Sequence, residues 1–304
     1  MSVFASVALL IYRHPRRLSV PSYSLLPGWT SSTVKQSSNQ TRIPTKIWQM
    51  HLKPNIETDT IVDTLSWIAK NPDYHYQLLG GPGAEEFVMK HFPQHLDLYK
   101  SIPNTGSKSD LLRYMLLAVE GGIYTDLDTV ALQPVDSWIP PHYKDQARVI
   151  IGLEYDQRDD DFVFAELHPT IQFCQWTIAA APGHKIFDNM VQQAVDSLKK
   201  FEQEYDLPIS NITLKNPEVL SSTGPGAWTD VVFEGLKIAD PSITTLKNIS
   251  RLSEPRLYGD ILLLPIDAFG MGQVHSGSTR GDDIPKNALA KHNFRGHWRT
   301  KEES

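Results

Sequence analysis

Asp126 and Asp128 lie two residues apart in GGIYTDLDTVALQP, from Gly121 to Pro134, just behind a glycine pair and an apolar run. On a strand, side chains alternate between faces, so Tyr124, Asp126 and Asp128 would share one side and Ile123, Thr125 and Leu127 the other. Two carboxylates held that close repel each other unless a cation compensates. Oxygen donors of this kind suit Mn²⁺ or Mg²⁺, which complete their shell with substrate phosphates and water. Two other readings stay open at this point: a phosphatase nucleophile–acid pair, or two solvated carboxylates at a strand end. The D-x-D triplet alone decides little, because roughly one arises by chance in a chain of this length. Asp159-Asp160-Asp161 satisfies it too and, following Gln157-Arg158, reads as a solvated loop.

The segment ahead of the aspartates carries more chemistry. Asp110 and Arg113 stand three apart, on one face of a helix, with Tyr114 beside them. They form an intrahelical ion pair, or they grip the hydroxyls of a polar ligand that a metal brings in, and spacing does not choose between these. Ser109 is placed to cap this helix, with Asp110 in its first turn. LLRYMLLAVE supplies the apolar face, and Gly121-Gly122 stops it.

Around this unit, IPTKIWQMHL from Ile43 reads as a first strand and YHYQLLG as another. Between them, Ile61, Leu65 and Ile68 recur at helical spacing until Asn71-Pro72. RVIIGLEYD is an apolar run expected as a buried parallel strand, and DILLLPIDAF as a late one. Ile171 to Ala180 and Lys185 to Phe201 read as two helices parted by Pro182-Gly183. Strands alternating with helices imply an α/β layered fold with a mostly parallel sheet flanked by helices. Carboxylates at the carboxyl end of such a strand face the crevice where α/β folds bind ligands.

The chain has 304 residues, 40% of them hydrophobic, enough for a sizeable core. Its formal charge of -6 argues against nucleic-acid or anionic-membrane binding. The single cysteine, Cys174, leaves no internal disulfide and no reading of the compartment. Asn39, Asn211 and Asn248 each begin an N-glycosylation triplet, which leans toward the secretory pathway. Val3 to Tyr12 is apolar and is followed by Arg13, Arg16 and Arg17. About ten residues do not span a bilayer, which takes about 20, so this is a short signal region, the remnant of an anchor, or a tail. Residues 18 to 42 have the Ser, Pro, Thr and Gln content of a flexible stem. The expected division is therefore 1–42 as apolar segment and stem, and 43–304 as a catalytic domain.

SDLLRYMLLAVEGGIYTDLD resembles the signature of glycosyltransferase family 32 and its clostridial-toxin relatives: S-D-x-x-R-Y, an apolar helix, G-G-x-Y, then D-x-D. IPTKIWQ resembles the family's first strand, SSTGPGAWTD its T-G-P loop, and KHNFRGHWR its closing K-H-x-F-x-G-x-W-K/R. IQFCQWTIAAAPGH is similar to the fungal initiation-specific α-1,6-mannosyltransferases in particular. The motifs run in the family's order from about Ile43 to Arg299. The resemblance implies a GT-A fold, a nucleotide-sugar donor (GDP-mannose) and Mn²⁺ or Mg²⁺. Carried over, it makes Asp126, Asp128, Asp110 and Arg113 the catalytic set. Asp128 and His292 would ligate the metal, with Asp126 reaching it through water and holding the donor's ribose and sugar. Asp110, Arg113 and Tyr114 would line the donor hexose, and Trp48 would stack on the nucleobase. Gly224 and Gly226 either keep the loop backbone close to the donor or form an ordinary Pro-Gly turn. His297, where relatives have Ser or Thr, competes weakly with His292.

The reaction so implied moves an α-mannosyl group from GDP-mannose to a mannose hydroxyl of an N-glycan, in α-1,6 linkage and with retention. It would take place in the Golgi on a type II membrane protein. No sequence feature names a nucleophile, although Glu154 in GLEYD is a carboxylate that either faces the site or ends a strand in solvent. Inositol phosphorylceramide is the alternative acceptor, used by relatives with the same S-D-x-x-R-Y and D-x-D core. Two further alternatives are a sugar-nucleotide-binding protein without catalysis and a haloacid-dehalogenase-type phosphatase. DLDTV fits the first phosphatase motif and Gly281-Asp282-Asp283 imitates the last, but that fold normally begins with its nucleophile strand.

Overall fold

A computed structural model describes residues 42–52, 58–158, 170–272, 277–279 and 283–295. The N-terminal apolar stretch, the stem up to residue 41, Asn39, the Asp159-Asp160-Asp161 run, Gly281-Asp282 and His297 lie outside the described residues. In chain order the elements are β1 (Lys46–His51), α1 (Thr58–Lys70), β2 (His75–Gly80), α2 (Gly81–His91), α3 (Leu96–Ser101), α4 (Thr105–Val119), β3 (Gly122–Thr125) and β4 (Thr129–Ala131). They continue with β5 (Val149–Asp156), β6 (Ile171–Ala180), α5 (Lys185–Tyr205), α6 (Asn216–Ser222), α7 (Pro225–Ala239), β7 (Arg256–Tyr258), β8 (Ile261–Leu264), α8 (Ile266–Phe269) and β9 (Ala290–His292).

Seven strands form one sheet in the order β2-β1-β3-β6-β5-β8-β7, and β4 pairs with β9 in a separate two-stranded ladder. β2, β1, β3, β5 and β8 share a direction; β6 and β7 run against it. The architecture is α/β, mostly parallel, with helices on both faces. Among the described residues no helix is long and apolar enough to cross a membrane.

The segment Ile171–Ala180 corrects an expectation: it is the strand β6, antiparallel to both β3 and β5, and not a helix. Its residues are buried on both sides of the sheet. Phe173 and Ile178 enter the core on one face, with Trp48, Tyr114 and Phe187. Cys174, Trp176 and Ala179 enter the other, with Trp67 and Trp138. A strand covered on both faces loses the alternation that would separate it from a buried helix.

The first helix differs in its faces. Ile61, Leu65 and Ile68 point to solvent, while Thr60, Asp63 and Trp67 are buried. The covered side of α1 is polar because it lies over the turn that carries the aspartates: Trp67 Nε1 donates to the Thr129 carbonyl at 3.1 Å and Ser66 Oγ accepts from Ala131 N at 2.9 Å. Pro265 ends β8, so the second half of DILLLPIDAF is the single turn α8 rather than more strand.

Helix α4 starts earlier than expected. Asn104 is its cap, Oδ1 accepting from Ser107 N at 2.9 Å, and Ser109 lies inside the helix. The glycine stop holds for a steric reason. Gly121 and Gly122 have φ of +62° and +94°, and a Cβ on either would come within 2.6 Å of a carbonyl, Ala180 O or Lys46 O. The pair lets the chain leave α4 and enter the sheet between β1 and β6 at once.

Candidate active site

Strand β3 ends at Thr125, three residues sooner than alternation through Asp128 requires. Asp126 still follows the sheet, its N–H donating to the Trp176 carbonyl at 2.8 Å. The chain then turns at Leu127 and enters β4, so Asp128 arrives beside Asp126 by a turn and not by strand period. The turn is tightly held. The Asp126 carbonyl accepts from Gln49 Nε2 at 2.9 Å and from Thr129 Oγ1 at 2.6 Å. Gln49 is fully buried and its Oε1 in turn accepts from the Thr64 hydroxyl at 3.0 Å and the Tyr76 hydroxyl at 2.8 Å. Replacing Gln49 by Leu strands both hydroxyls and half of that grip, and is expected to destabilise the fold by about 1–3 kcal/mol in urea unfolding. An unchanged midpoint would show that the network does not hold the turn.

Asp128 is the hub of the second half. Its Oδ1 lies 3.1 Å from His292 Nε2, and its Oδ2 accepts from Arg295 N at 2.9 Å. Its carbonyl accepts from Asn293 N at 2.9 Å. Burial pushes the Asp128 carboxyl up, but the bond and charge from His292 and the backbone N–H of Arg295 outweigh it and hold it at about 2. The group is an anion at neutral pH. The β4–β9 ladder pairs Thr129 with His292 and so sets this register across 163 residues of chain. Asp63 on α1 ties the same segment down, 2.6 Å from Arg295 Nη1 and accepting from Asn293 Nδ2 at 3.0 Å.

Asp126, Asp128 and His292 each offer a ligand atom within 4.8 Å of the other two. Two carboxylates and an imidazole at that spacing fit a divalent cation of the Mn²⁺ or Mg²⁺ kind, the oxygen share being what such ions prefer. The Nδ1 of His292 is buried and has no hydrogen-bond partner among the described residues.

Behind Asp126 stands the pair from α4. Arg113 Nη2 lies 2.9 Å from Asp110 Oδ1 and 3.3 Å from Asp126 Oδ1, and its Nη1 donates to the Gln175 carbonyl at 3.0 Å. The guanidinium sits over the Tyr124 ring at 4.7 Å, and the Tyr124 hydroxyl donates to Asp126 Oδ1. The intrahelical pair therefore forms, and it extends to the aspartate of the turn. Asp110 Oδ2 also accepts from Thr223 Oγ1 at 3.1 Å. Burial pushes Asp110 up to about 7; Arg113 opposes this, the charge on Asp126 adds to it, and Thr223 opposes it again. One guanidinium serving two carboxylates leaves the second of them undercompensated.

Three residues expected as donor contacts are buried inside the protein. Trp48 is fully buried, its Nε1 donating to the Gly121 carbonyl at 2.9 Å with Lys46 over its ring, so it is a core residue with no face for a nucleobase. Tyr114 is fully buried against Trp228, its hydroxyl donating to Gln175 Oε1 and to the Thr223 carbonyl, so it braces β6 and the Thr223 loop. Gly224 is buried where a Cβ would meet Leu220 Cα at 2.7 Å, and Gly226 where one would meet Leu220 O at 2.9 Å. Both let α6 pack against the start of α7. Glu154 is buried on β5, accepting from Gln172 Nε2 at 3.0 Å. Sequence reading missed Gln49, Asp63, Gln175 and Trp176. The last two sit in the stretch taken for a helix, and the first two look like ordinary strand and helix residues.

The family model described as the glycosyltransferase sugar-binding region containing the DXD motif matches residues 60–144, which hold Asp110, Arg113, Asp126 and Asp128. Over those residues the sequence is similar to DXD-motif glycosyltransferases. The initiation-specific α-1,6-mannosyltransferase of Schizosaccharomyces pombe is 35% identical over 266 residues, covering 84% of this chain and 64% of that protein. That of Candida albicans is 30% identical, covering 77% of this chain and 65% of that one. The chain thus spans just under two thirds of the length of either relative. Among solved structures, the PaToxG glycosyltransferase aligns with a TM-score of 0.43 at 20% identity, over 66% of this chain and 73% of that one. The mostly parallel α/β sheet, with the Asp126–Asp128 turn following β3, agrees with the layered architecture expected from the sequence.

Proposed function

We propose that this DXD glycosyltransferase is a retaining, metal-dependent α-1,6-mannosyltransferase that moves mannose from GDP-mannose to a mannose hydroxyl of an N-glycan. The observation that carries this reading is the Asp126–Asp128–His292 cluster, set on the turn that the DXD motif occupies in a chain similar to initiation-specific α-1,6-mannosyltransferases. A bound Mn²⁺ or Mg²⁺ would neutralise charge developing on the departing diphosphate, as Lewis acid and template. Asp128 and His292 would hold that ion, with Asp126 contributing directly or through water. Asp126, the most exposed member of its ion-pair network, turns its free oxygen toward donor hydroxyls. Arg113, itself held by Asp110, fixes its orientation from behind, and the pair would bound the hexose side. The phosphatase alternative loses support from topology, since among the described residues the DLDTV turn follows the third strand and not the first. In this reading the protein works in the secretory pathway, with residues 43–304 as its catalytic domain.

The test is to incubate the purified chain with GDP-mannose, Mn²⁺ and a high-mannose N-glycan, and to look for one added α-1,6-mannose by mass and linkage-specific digestion. Transfer only to inositol phosphorylceramide would overturn the acceptor assignment. Phosphate release without sugar transfer would overturn the transferase reading.

A further inference from the structure

A histidine that ligates a metal nearly always donates its second ring N–H to a carboxylate, a carbonyl or water, and that bond fixes the plane of the ring. His292 departs from this rule: its Nε2 faces Asp128, and its Nδ1 is buried with no partner among the described residues. Two aromatic rings lie against it instead. Trp176 stacks on the imidazole at 4.6 Å between centroids and 29° between planes, and Phe294 lies 3.9 Å away at 53°. The Trp176 Nε1 is likewise buried without a partner among the described residues, so no hydrogen bond there places the indole. Phe294 adopts φ of +47°, a left-handed conformation that a bulky residue rarely takes. There, the N–H groups of Asn293 and Arg295 on either side both donate to Asp128 while the Phe294 ring covers His292. Strain of this kind persists where the surroundings over-determine it.

Trp176 also touches the other half of the cluster, because its carbonyl accepts from Asp126 N at 2.8 Å. One residue of β6 therefore sets the backbone of one ligand and the ring of another. We infer that Trp176, assisted by Phe294, is the positioning residue of the metal cluster, an aromatic clamp replacing the second hydrogen bond of His292. The inference rests on the metal reading above.

Trp176→Leu removes the ring and keeps the carbonyl that holds Asp126, so it isolates the clamp. Mn²⁺ binding to the full chain, without nucleotide or sugar, is read by the spin-resonance signal of free Mn²⁺, and folding by the thermal midpoint. Trp176→Leu is expected to weaken Mn²⁺ binding about tenfold or more, Trp176→Phe to restore most of it, and Trp176→Leu to have no further effect in a His292→Ala background. In the parent chain, bound Mn²⁺ is expected to quench tryptophan fluorescence, with the largest single share lost in Trp176→Phe. A folded Trp176→Leu that binds Mn²⁺ like the parent would overturn the inference, as would an equal loss with and without His292. Should Trp176→Leu not fold, Phe294→Gly carries the test: it relieves the left-handed strain and removes the half-exposed ring, and the same weakening is expected. Unchanged affinity in Phe294→Gly would then overturn the clamp. A parent chain that binds no divalent ion overturns the metal reading itself, recognisable because every variant then behaves alike.

Discussion

Asp128→Ala is expected to lower sugar transfer by about a thousandfold, on the order of 4 kcal/mol of barrier, and to remove Mn²⁺-dependent GDP binding. The size of the effect follows from how much converges on one carboxylate. Asp128 supplies a permanent anion to the cluster, held at about 2 by His292 and Arg295 against the pull of burial. It also docks residues 292–295 through its Oδ1, its Oδ2 and its carbonyl. The alanine variant loses the ligand charge and two of the three docking contacts together. Asp128→Asn separates these losses, because an amide oxygen still accepts from Arg295 N while the charge is gone. The asparagine variant is expected to keep the parent's thermal midpoint within a few degrees and to be as inactive as the alanine one. Titration with GDP in the presence and absence of Mn²⁺ checks the metal role. GDP binding that stays Mn²⁺-dependent and of parental affinity in both variants would remove Asp128 from the metal site.

The parts of this site that could be read from sequence are those made by neighbours in the chain. The helix with Asp110 and Arg113, its glycine stop and the aspartates behind it lie within twenty residues, and local periodicity and turn chemistry reach that far. Even there, period-2 reasoning carried the strand through Asp128, whereas the chain turns after Asp126 so that Thr129 can pair with His292. Contacts across the sheet were opaque. Gln49 and Trp176 hold the Asp126 backbone from two neighbouring strands, and nothing in their local sequence sets them apart from core residues. β6 was misread because both its faces are covered. His292 entered only through the resemblance, since no spacing rule joins residues so distant in sequence. Trp48 and Tyr114, which the resemblance assigns to the donor, have their rings packed in the core.

Arg113 is the other residue whose loss is expected to be large, and its effect appears in stability before it appears in catalysis. Its guanidinium is nearly inaccessible and serves Asp110, Asp126, the Gln175 carbonyl and the Tyr124 ring at once. Removing one partner from a buried network leaves the remaining charges uncompensated, so Arg113→Ala is expected to destabilise the fold by about 3–5 kcal/mol near neutral pH. Arg113→Lys keeps a charge but as a point cation without the planar fork, and should fall between parent and alanine variant. The pH dependence distinguishes lost charge compensation from lost packing. In the parent, Asp110 is raised from 3.8 to about 7, so the folded state binds more protons than the unfolded chain between those values. Its contribution to stability therefore falls as pH rises through that window, and the penalty is complete only above about 7. Without Arg113 the carboxylate loses the partner that opposes this shift, so the fall should extend to higher pH and be larger in total between pH 5 and pH 8. Asp110→Asn should flatten it, because no proton remains to be lost. Urea unfolding of the parent and the three variants at pH 5 and pH 8 measures this. A deficit in Arg113→Ala that is the same at both pH values would assign the loss to packing and would mean that Arg113 does not compensate the two aspartates.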